Sequence, residues 1–301
     1  MHPAMRQTAL FSTAFLTVFL ITPALLFADY RSPAGTRTAN ADPADPVLPG
    51  GRLLSPFGQH FFTGPGPFGL ALSPDGKTLV SADGGPHRYS LTILRRKGET
   101  WETTRVSARG KRGVPEDEDD WRSVFMGLAF DANNRLFASE GNSGRVRLLD
   151  VRTGRKIAVV NLNTGGFQDS YTGDLAFDAR RGLLYAVDQA NFRVAVIDVR
   201  KRRIVSSIRV GRLPFAIALS PDGRRAYVTN IGMFEYKPVP GTDPKRPAET
   251  GLPFPAFGFP SPEAVKGATR ETASGSVEVP GLGEPNVAES NSLAVINLEN
   301  P

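Results

Sequence analysis

Four stretches of the chain align with one another without gaps, and this repetition limits the possible folds more than any other feature. The stretches begin at Pro67, Phe125, Thr172 and Pro214. Each has the pattern of an apolar strand with small residues, a tight turn and a second apolar strand. Self-similarity at a period of roughly 20 to 50 residues is typical of solenoids and propellers. The sequence therefore predicts one supersecondary unit per copy.

Two further strands are predicted to follow these pairs. Alternating segments give a third strand in every copy, at residues 90–94, 145–149, 193–197 and 292–296. Residues 156–160 and 203–210 supply a fourth strand. The equivalent positions Gly127, Asp174 and Ala216 are 47 and 42 residues apart, which is the spacing of a propeller blade. We therefore expect an all-β fold, a β-propeller of four-stranded antiparallel blades.

The turn residues agree with this prediction. Ser73-Pro-Asp-Gly76 and Ser220-Pro-Asp-Gly223 place proline where a β-turn has a fixed φ, and glycine where it has a positive φ. Three short polar residues end the third strands, where a side-chain oxygen can accept from the amides of the next turn: Asp150, Asp198 and Asn297.

Two segments of the fourth copy carry a family resemblance. Tyr227-Val-Thr-Asn230 and, later, Ser292-Leu-Ala-Val-Ile-Asn297 resemble the YVTN-type, or YncE-like, β-propeller repeat family, and the likeness covers about residues 48–301. Members of that family have seven blades as a rule, whereas about four are visible here. The resemblance thus implies a partial propeller, a fragment of a longer protein. Similar propellers precede an alkaline-phosphatase-like hydrolase domain, which would lie beyond residue 301.

The domain prediction has three parts. Residues 1–28 resemble a signal peptide, with Arg6 before an apolar stretch, and an uncleaved membrane anchor is the alternative. Residues 29–47 are expected to form a flexible linker, and residues 48–301 the propeller, with 51–62 as an outer hairpin that would join a last blade. Export to the periplasm or the medium follows from the signal. The chain has no cysteine, which excludes disulfides and a cysteine lipid anchor.

Function is expected on one face of the propeller, because the connections from strand two to strand three and from strand four to strand one emerge on the same side. Three unusual segments belong to that side: the acidic residues 116–120 with Trp121, the loop 165–171, and the insertion 231–291. The insertion is rich in proline and glycine but keeps several aromatic residues, so we expect it to be ordered as a lid, a channel cover or a docking surface. Within it, Ser261-Pro262 is a helix start signal.

Six residues are candidate ligand-binding groups at the channel mouth. Four occupy the same repeat position at the end of strand two, one replaces a small residue on the innermost strand, and one lies in a strand-two-to-three loop. These residues are Asp83, Glu140, Asp188 and Asn230, then Asp174, then His87. Carboxylate and amide oxygens are suited to a hard divalent cation. The alternative is that the four equivalent residues cap turns; no cofactor is otherwise implied, and the metal is unknown.

The predicted function is that of an extracytoplasmic binding or scaffold module for an unknown small molecule or protein, with the downstream hydrolase domain as one partner. Only three histidines are present, and no phosphate loop, nucleophile elbow or zinc set is found. A lactonase-like hydrolase with a cation at the channel mouth is the alternative, since related propellers include such enzymes. Single-stranded DNA binding is the less favoured alternative. The net charge of +6 permits it, but basic residues are not interleaved with aromatic ones. Basic runs such as 200–203 fit solvated turns.

Overall fold

The computed structural model describes residues 32–40, 46–53, 58–85, 89–107, 123–243 and 246–299. The predicted signal segment 1–28, His87 and the acidic residues 116–120 with Trp121 lie outside the described residues. By compactness the chain divides into a unit of residues 1–60 and a unit of residues 61–301.

In the unit of residues 1–60, the described part consists of turns and isolated bridges. Val47 forms bridges with Asn40 and with Leu53, and the Ser32 hydroxyl donates to the Gly51 carbonyl at 2.7 Å. The outer hairpin expected for 51–62 is not found at its described positions, 51–53 and 58–62, which hold one bridge and no strand. The linker assigned to 29–47 stays a prediction.

The unit of residues 61–301 contains three four-stranded antiparallel sheets, each in simple sequential order. Blade 1 consists of β1 (Pro67–Leu72), β2 (Thr78–Asp83), β3 (Ser90–Lys97) and β4 (Thr100–Ser107). Blade 2 consists of β5 (Leu128–Ala132), β6 (Arg135–Ser139), β7 (Arg145–Asp150) and β8 (Lys156–Asn161). Blade 3 consists of β9 (Thr172–Asp178), β10 (Leu183–Asp188), β11 (Arg193–Asp198) and β12 (Arg203–Arg209). Apart from β4, which the pattern did not reveal, these strands confirm the repeat prediction.

Blade 4 begins with β13 (Pro214–Leu219) and β14 (Arg225–Asn230). The insertion follows, with two short helices, α1 (Pro247–Thr250) and α2 (Pro262–Lys266), and a hairpin of β15 (Gly267–Thr272) and β16 (Gly275–Pro280). Strand β17 (Ser292–Asn297) then pairs with β14 and completes a three-stranded sheet. Ser261 caps α2 by accepting from the Ala264 amide at 3.0 Å, as the sequence predicts.

Buried side chains show that the sheets pack face to face. Along β10, Leu184 and Ala186 belong to the core between blades 2 and 3, whereas Tyr185 and Val187 belong to the core between blades 3 and 4. Successive strand residues point to opposite faces, so one strand contributes to two cores. A third core joins blades 1 and 2. The sheets are therefore separate layers rather than parts of one continuous sheet.

The first strands of the blades lie next to one another. β1 contacts β5, β5 contacts β9, and β9 contacts β13. A Cβ atom on Gly127 would meet the Gly173 carbonyl oxygen of the next blade, and the Ile217 amide donates to Asp174 Oδ2 at 3.0 Å. Adjacent first strands with outward-running meanders are the arrangement of a β-propeller. The described residues supply three complete blades and one three-stranded blade.

The two Ser-Pro-Asp-Gly turns have the same hydrogen bonds. Ser73 donates its hydroxyl to Asp75 at 2.6 Å, and Ser220 donates to Asp222 at 2.5 Å. The glycines have φ values of 69° and 67°, which glycine adopts at little cost. The strand-ending acceptors are confirmed as well: Asp150, Asp198 and Asn297 accept from amides two or three positions ahead, at 2.8–3.1 Å.

No helix in the described part of the chain is long and apolar enough to cross a membrane.

Candidate functional site

A pocket of about 270 Å³ opens on the loop face, which we define as the side carrying the β2–β3 and β4–β5 types of connection. Its lining comes from four separate connections. The lining residues are Tyr171, Gln189, Ala190, Phe192, Leu213 and Tyr236. Tyr171 directly precedes β9, and Leu213 directly precedes β13. The other lining residues lie between β10 and β11, except Tyr236, which belongs to the insertion. Two of the three segments singled out in the sequence therefore meet at this pocket.

Gln189 gives the pocket an unused polar group. The residue is 8% exposed, and its side-chain Nε2 has no hydrogen-bond partner. A buried amide without a partner costs free energy, about 1–3 kcal/mol when desolvated. Rotation about the last side-chain bond interchanges the amide nitrogen and the carbonyl oxygen. The amide nitrogen is buried in this conformation, so Gln189 can donate to, or accept from, a group in the pocket once its side chain rotates.

Asp188 holds the Tyr171 side of the pocket in place. Its Oδ1 accepts from the Tyr171 amide at 3.1 Å, and its Oδ2 accepts from the Ser170 hydroxyl at 2.8 Å. The Gln189 amide in turn donates to the Tyr171 carbonyl at 2.9 Å. The predicted site residue Asp188 therefore does not line the pocket but holds the backbone of a lining residue, Tyr171, in position.

Arg212 attaches the insertion to the propeller next to the pocket. It is 7% exposed and donates to the carbonyl of Met233 at 2.7 Å, to the carbonyl of Glu284 at 2.5 Å and to the carboxylate of Glu235 at 3.0 Å. Hydrogen bonds to ionised groups are among the stronger ones in proteins. One buried guanidinium therefore holds both ends of the insertion, and the ordering of the insertion as a whole stays a prediction.

The pocket lining contains strained backbone. Phe192 and Leu213 have φ values of 52° and 46°, in the left-handed region that bulky residues rarely adopt. The conformation costs about 1–3 kcal/mol per residue and is common at ligand sites.

The pocket is electrically neutral. None of its lining residues carries a formal charge at pH 7. Burial raises the pKa of the Tyr171 hydroxyl above its usual 10.0, with a smaller contribution from Tyr89, so the phenol keeps its proton at neutral pH. The site is therefore suited to an uncharged group with an apolar surface and one hydrogen-bonding function.

Asp83, Glu140 and Asn230 lie at equivalent buried positions in the other blades, with at most 2% exposure. Asp83 Oδ2 accepts from the hydroxyls of Ser90 and Thr92 at 2.8 and 2.6 Å. Glu140 is paired with the buried Arg145 at 2.7 Å and with Arg147. Asn230 donates to the Ser292 hydroxyl at 3.1 Å, while its Oδ1 has no partner. Each side chain joins strands within its own blade.

Asp174 lies on the innermost strand, as predicted, but its oxygens are engaged. Oδ2 accepts from Ile217 of the next blade and Oδ1 accepts from the Leu175 amide at 2.9 Å. Burial raises the pKa of the Asp174 carboxyl, and the two amide hydrogen bonds oppose that rise. The carboxylate thus connects blades 3 and 4.

The carboxylates do not meet at a common point. Among the described residues there is no group of three or more histidine, aspartate or glutamate side chains that could hold a metal ion together. The shared cation set expected for the hydrolase alternative, Asp83, Glu140, Asp174 and Asp188, is therefore not assembled in the described residues. Asp83, Glu140 and Asp188 are each buried in a different blade, and Asp174 bonds to blade 4. Ligand binding by these residues and by His87 stays a prediction.

Sequence reasoning missed Gln189, Phe192 and Leu213. Gln189 lies directly after a second strand, Phe192 directly before a third strand and Leu213 directly before a first strand, all on the connections of the predicted functional face. A search of those positions for large apolar residues would have found Phe192 and Leu213. Nothing in the sequence marks Gln189 as an amide without a partner.

Comparison with family models and with curated proteins gives no match. Among solved structures, the chain is similar to hydrazine synthase of Kuenenia stuttgartiensis, with 20% identity over 59% of this chain and 46% of that one, and a TM-score of 0.44. It is also similar to a protein from Lactobacillus plantarum, with 18% identity over 55% of this chain and 48% of that one, and a TM-score of 0.42. The matches span about half the length of each of these structures.

Proposed function

We propose that this propeller is a non-catalytic binding module that takes a small, uncharged group into the loop-face pocket. The ligand class is an aromatic or branched apolar group attached to an amide or carbonyl, such as a neutral side chain of a peptide. The observation that carries the proposal is Gln189, whose buried side-chain nitrogen lacks a partner next to an aromatic lining.

The size of the pocket narrows the ligand class. Small-molecule sites typically measure about 300–1,000 Å³, and this pocket of about 270 Å³ lies just below that range. It therefore accommodates one ring or one side chain rather than an extended ligand. Tyr236 is 58% exposed and its ring packs edge to face against Phe234, with the centroids 6.5 Å apart, so it offers an aromatic surface to an occupant from the insertion side.

The wider setting is part of the same proposal. We infer from the signal-like segment 1–28 that the module acts in the periplasm or the medium, and from the YVTN-like segments that it belongs with that repeat family. A downstream phosphoesterase-like domain would then receive or present the bound partner. The lactonase-like alternative has no comparable support among the described residues, since their acids form no shared site.

The test uses N-acetyl-L-phenylalaninamide as the probe and the 301-residue chain, with binding measured by saturation-transfer NMR and calorimetry. We expect saturable binding that Tyr236→Ala weakens about tenfold, the effect of losing about 1.4 kcal/mol of stacking and apolar contact. Phe254→Ala is the matched control, because Phe254 is a 40% exposed aromatic of the same insertion outside the pocket lining.

A second variant separates binding from folding. Gln189→Leu keeps the side-chain size but removes the hydrogen bond, so affinity should fall about three- to tenfold while the melting temperature stays the same or rises. Absence of saturable binding by the probe, or an equal loss in Phe254→Ala and Tyr236→Ala, would show that the pocket is not a ligand site.

A further inference from the structure

The face opposite the loop face carries the connections from first to second strands and from third to fourth strands, and we call it the turn face. Between two such turns of blade 3 lies a cavity of about 390 Å³. Its lining includes four cationic side chains from the two turns: Arg180, Arg181, Arg200 and Lys201. The cavity is independent of the pocket described above, since the two have no residue in common.

Two of these four cations are compensated. Arg181 donates to Asp178 Oδ2 at 2.6 Å, and Lys201 lies 3.3 Å from Asp198 Oδ2. Arg180 and Arg200 form no ion pair with any other described residue. Two positive charges at the cavity therefore have no counter-charge from the described part of the protein.

Blade 1 offers a comparison at its third-to-fourth-strand turn. In blade 1 the cations at the third-to-fourth-strand turn have acidic partners: Lys97 pairs with Glu102, and Arg96 lies 3.8 Å from Glu99. In that turn of blade 1, each of these two cations has an acidic side chain nearby. In blade 3, by contrast, cations from two turns line one cavity.

Arg180 also lies next to the neighbouring blade. Its guanidinium is close to Gly223 in the turn of blade 4, where an added Cβ atom would meet it. Arg181 donates to the Gly223 carbonyl at 2.8 Å. A guanidinium can bind a phosphate with two parallel hydrogen bonds.

We propose that the blade-3 cavity on the turn face binds a phosphate group, with Arg180 and Arg200 as the two anion-binding side chains. Two unpaired cations suit a doubly charged phosphate or a diphosphate better than a monovalent carboxylate. The surroundings contain no aromatic lining on which a base could stack, so the recognised chemistry is the phosphate itself. It comes either from a free phosphate compound or from the headgroup of an anionic lipid.

The first arm of the test measures inorganic pyrophosphate binding to the 301-residue chain by calorimetry at low and at physiological salt. We expect binding that weakens with salt and falls about tenfold in Arg180→Gln and in Arg200→Gln, as expected for one lost charge-assisted hydrogen bond. Arg209→Gln is the matched control, because Arg209 is an exposed arginine at the opposite end of β12.

The second arm measures co-sedimentation with vesicles that contain phosphatidic acid, whose phosphomonoester can carry two charges, and with vesicles of phosphatidylcholine only. Binding to the phosphatidic acid vesicles that depends on Arg180 and Arg200 supports the lipid headgroup as the source. Binding of pyrophosphate without binding to these vesicles supports a free phosphate compound. The proposal is overturned if neither probe binds, or if Arg209→Gln reduces binding as much as the two cavity variants do.

Discussion

Arg193 donates its Nε hydrogen to Asp188 Oδ2 at 2.8 Å, and both side chains are at most 3% exposed. The same guanidinium donates to the Leu162 carbonyl at 2.7 Å and lies 3.5 Å from the centroid of the Phe167 ring. A buried carboxylate is tolerated only when it is paired and hydrogen-bonded. Since Asp188 also binds the Tyr171 amide, this ion pair supports both the blade and the pocket wall.

The first prediction is that Arg193→Leu lowers the free energy of unfolding by about 3–5 kcal/mol, because it leaves Asp188 buried without its cation. Urea denaturation followed by circular dichroism measures the change. Arg209→Leu, at an exposed position of the next strand, should change the free energy by no more than about 0.5 kcal/mol. Equal effects of the two substitutions would mean that the buried pair contributes nothing.

The blades could be predicted because their signals are local. A strand repeats every two residues, and Ser-Pro-Asp-Gly specifies its turn by φ preference and by its own side-chain hydrogen bonds. The burial of Asp83 and Glu140 follows from the same register, but their partners do not. Those partners are set by the residues that begin the third strand, Ser90 in blade 1 and Arg145 in blade 2.

The pocket could not be predicted because its parts are distant in sequence. Tyr171, Gln189, Leu213 and Tyr236 come together only through the stacking of blades 3 and 4 and through the path of the insertion. The hairpin of β15 and β16 was missed for a different reason. The many prolines and glycines of the insertion favoured irregular structure, and this outweighed the short alternating pattern around Val277 and Val279.

The second prediction compares the two equivalent turn glycines. Gly76→Ala and Gly223→Ala should each cost about 1–2 kcal/mol of stability, because both positions have a left-handed φ. Only Gly223→Ala should also weaken pyrophosphate binding, since its new methyl group would displace the Arg180 guanidinium, whereas a Cβ at Gly76 meets nothing within 4 Å. Thermal melts and calorimetry on both variants measure the two effects. A loss of binding in Gly76→Ala would show that the turns, and not Arg180, control the anion affinity.

The third prediction concerns the close approach of the first strands. Gly127→Ala should destabilise the protein by about 1–3 kcal/mol, because the added methyl group meets the Gly173 backbone carbonyl, which cannot move without shifting β9. The equivalent residue of blade 4 is Ala216, so Ala216→Gly serves as the reverse control and should cost less than 1 kcal/mol. Denaturant midpoints measure both. Tolerance of Gly127→Ala would contradict the tight contact between β5 and β9.

The fourth prediction is a pH dependence that Asp174 introduces. Burial raises the folded-state pKa of this carboxyl above its usual 3.8. Between 3.8 and the folded value, the folded protein holds a proton that the unfolded chain has lost. The stability contribution of Asp174 therefore decreases as the pH rises through this window and stays low above it. Acids with a lowered pKa, such as Asp178 and Asp198, have the opposite dependence.

Asp174→Asn isolates this effect, because the variant retains those other acids and one oxygen that can accept from Ile217. The difference in unfolding free energy, wild type minus variant, should decrease from about pH 4 upward and then level off. Urea denaturation of both proteins at several pH values measures it. The absolute sign of the difference is set by the hydrogen bond that asparagine loses, so the slope is the decisive quantity. A difference that is constant or increases with pH would mean that folding does not raise the pKa of the Asp174 carboxyl.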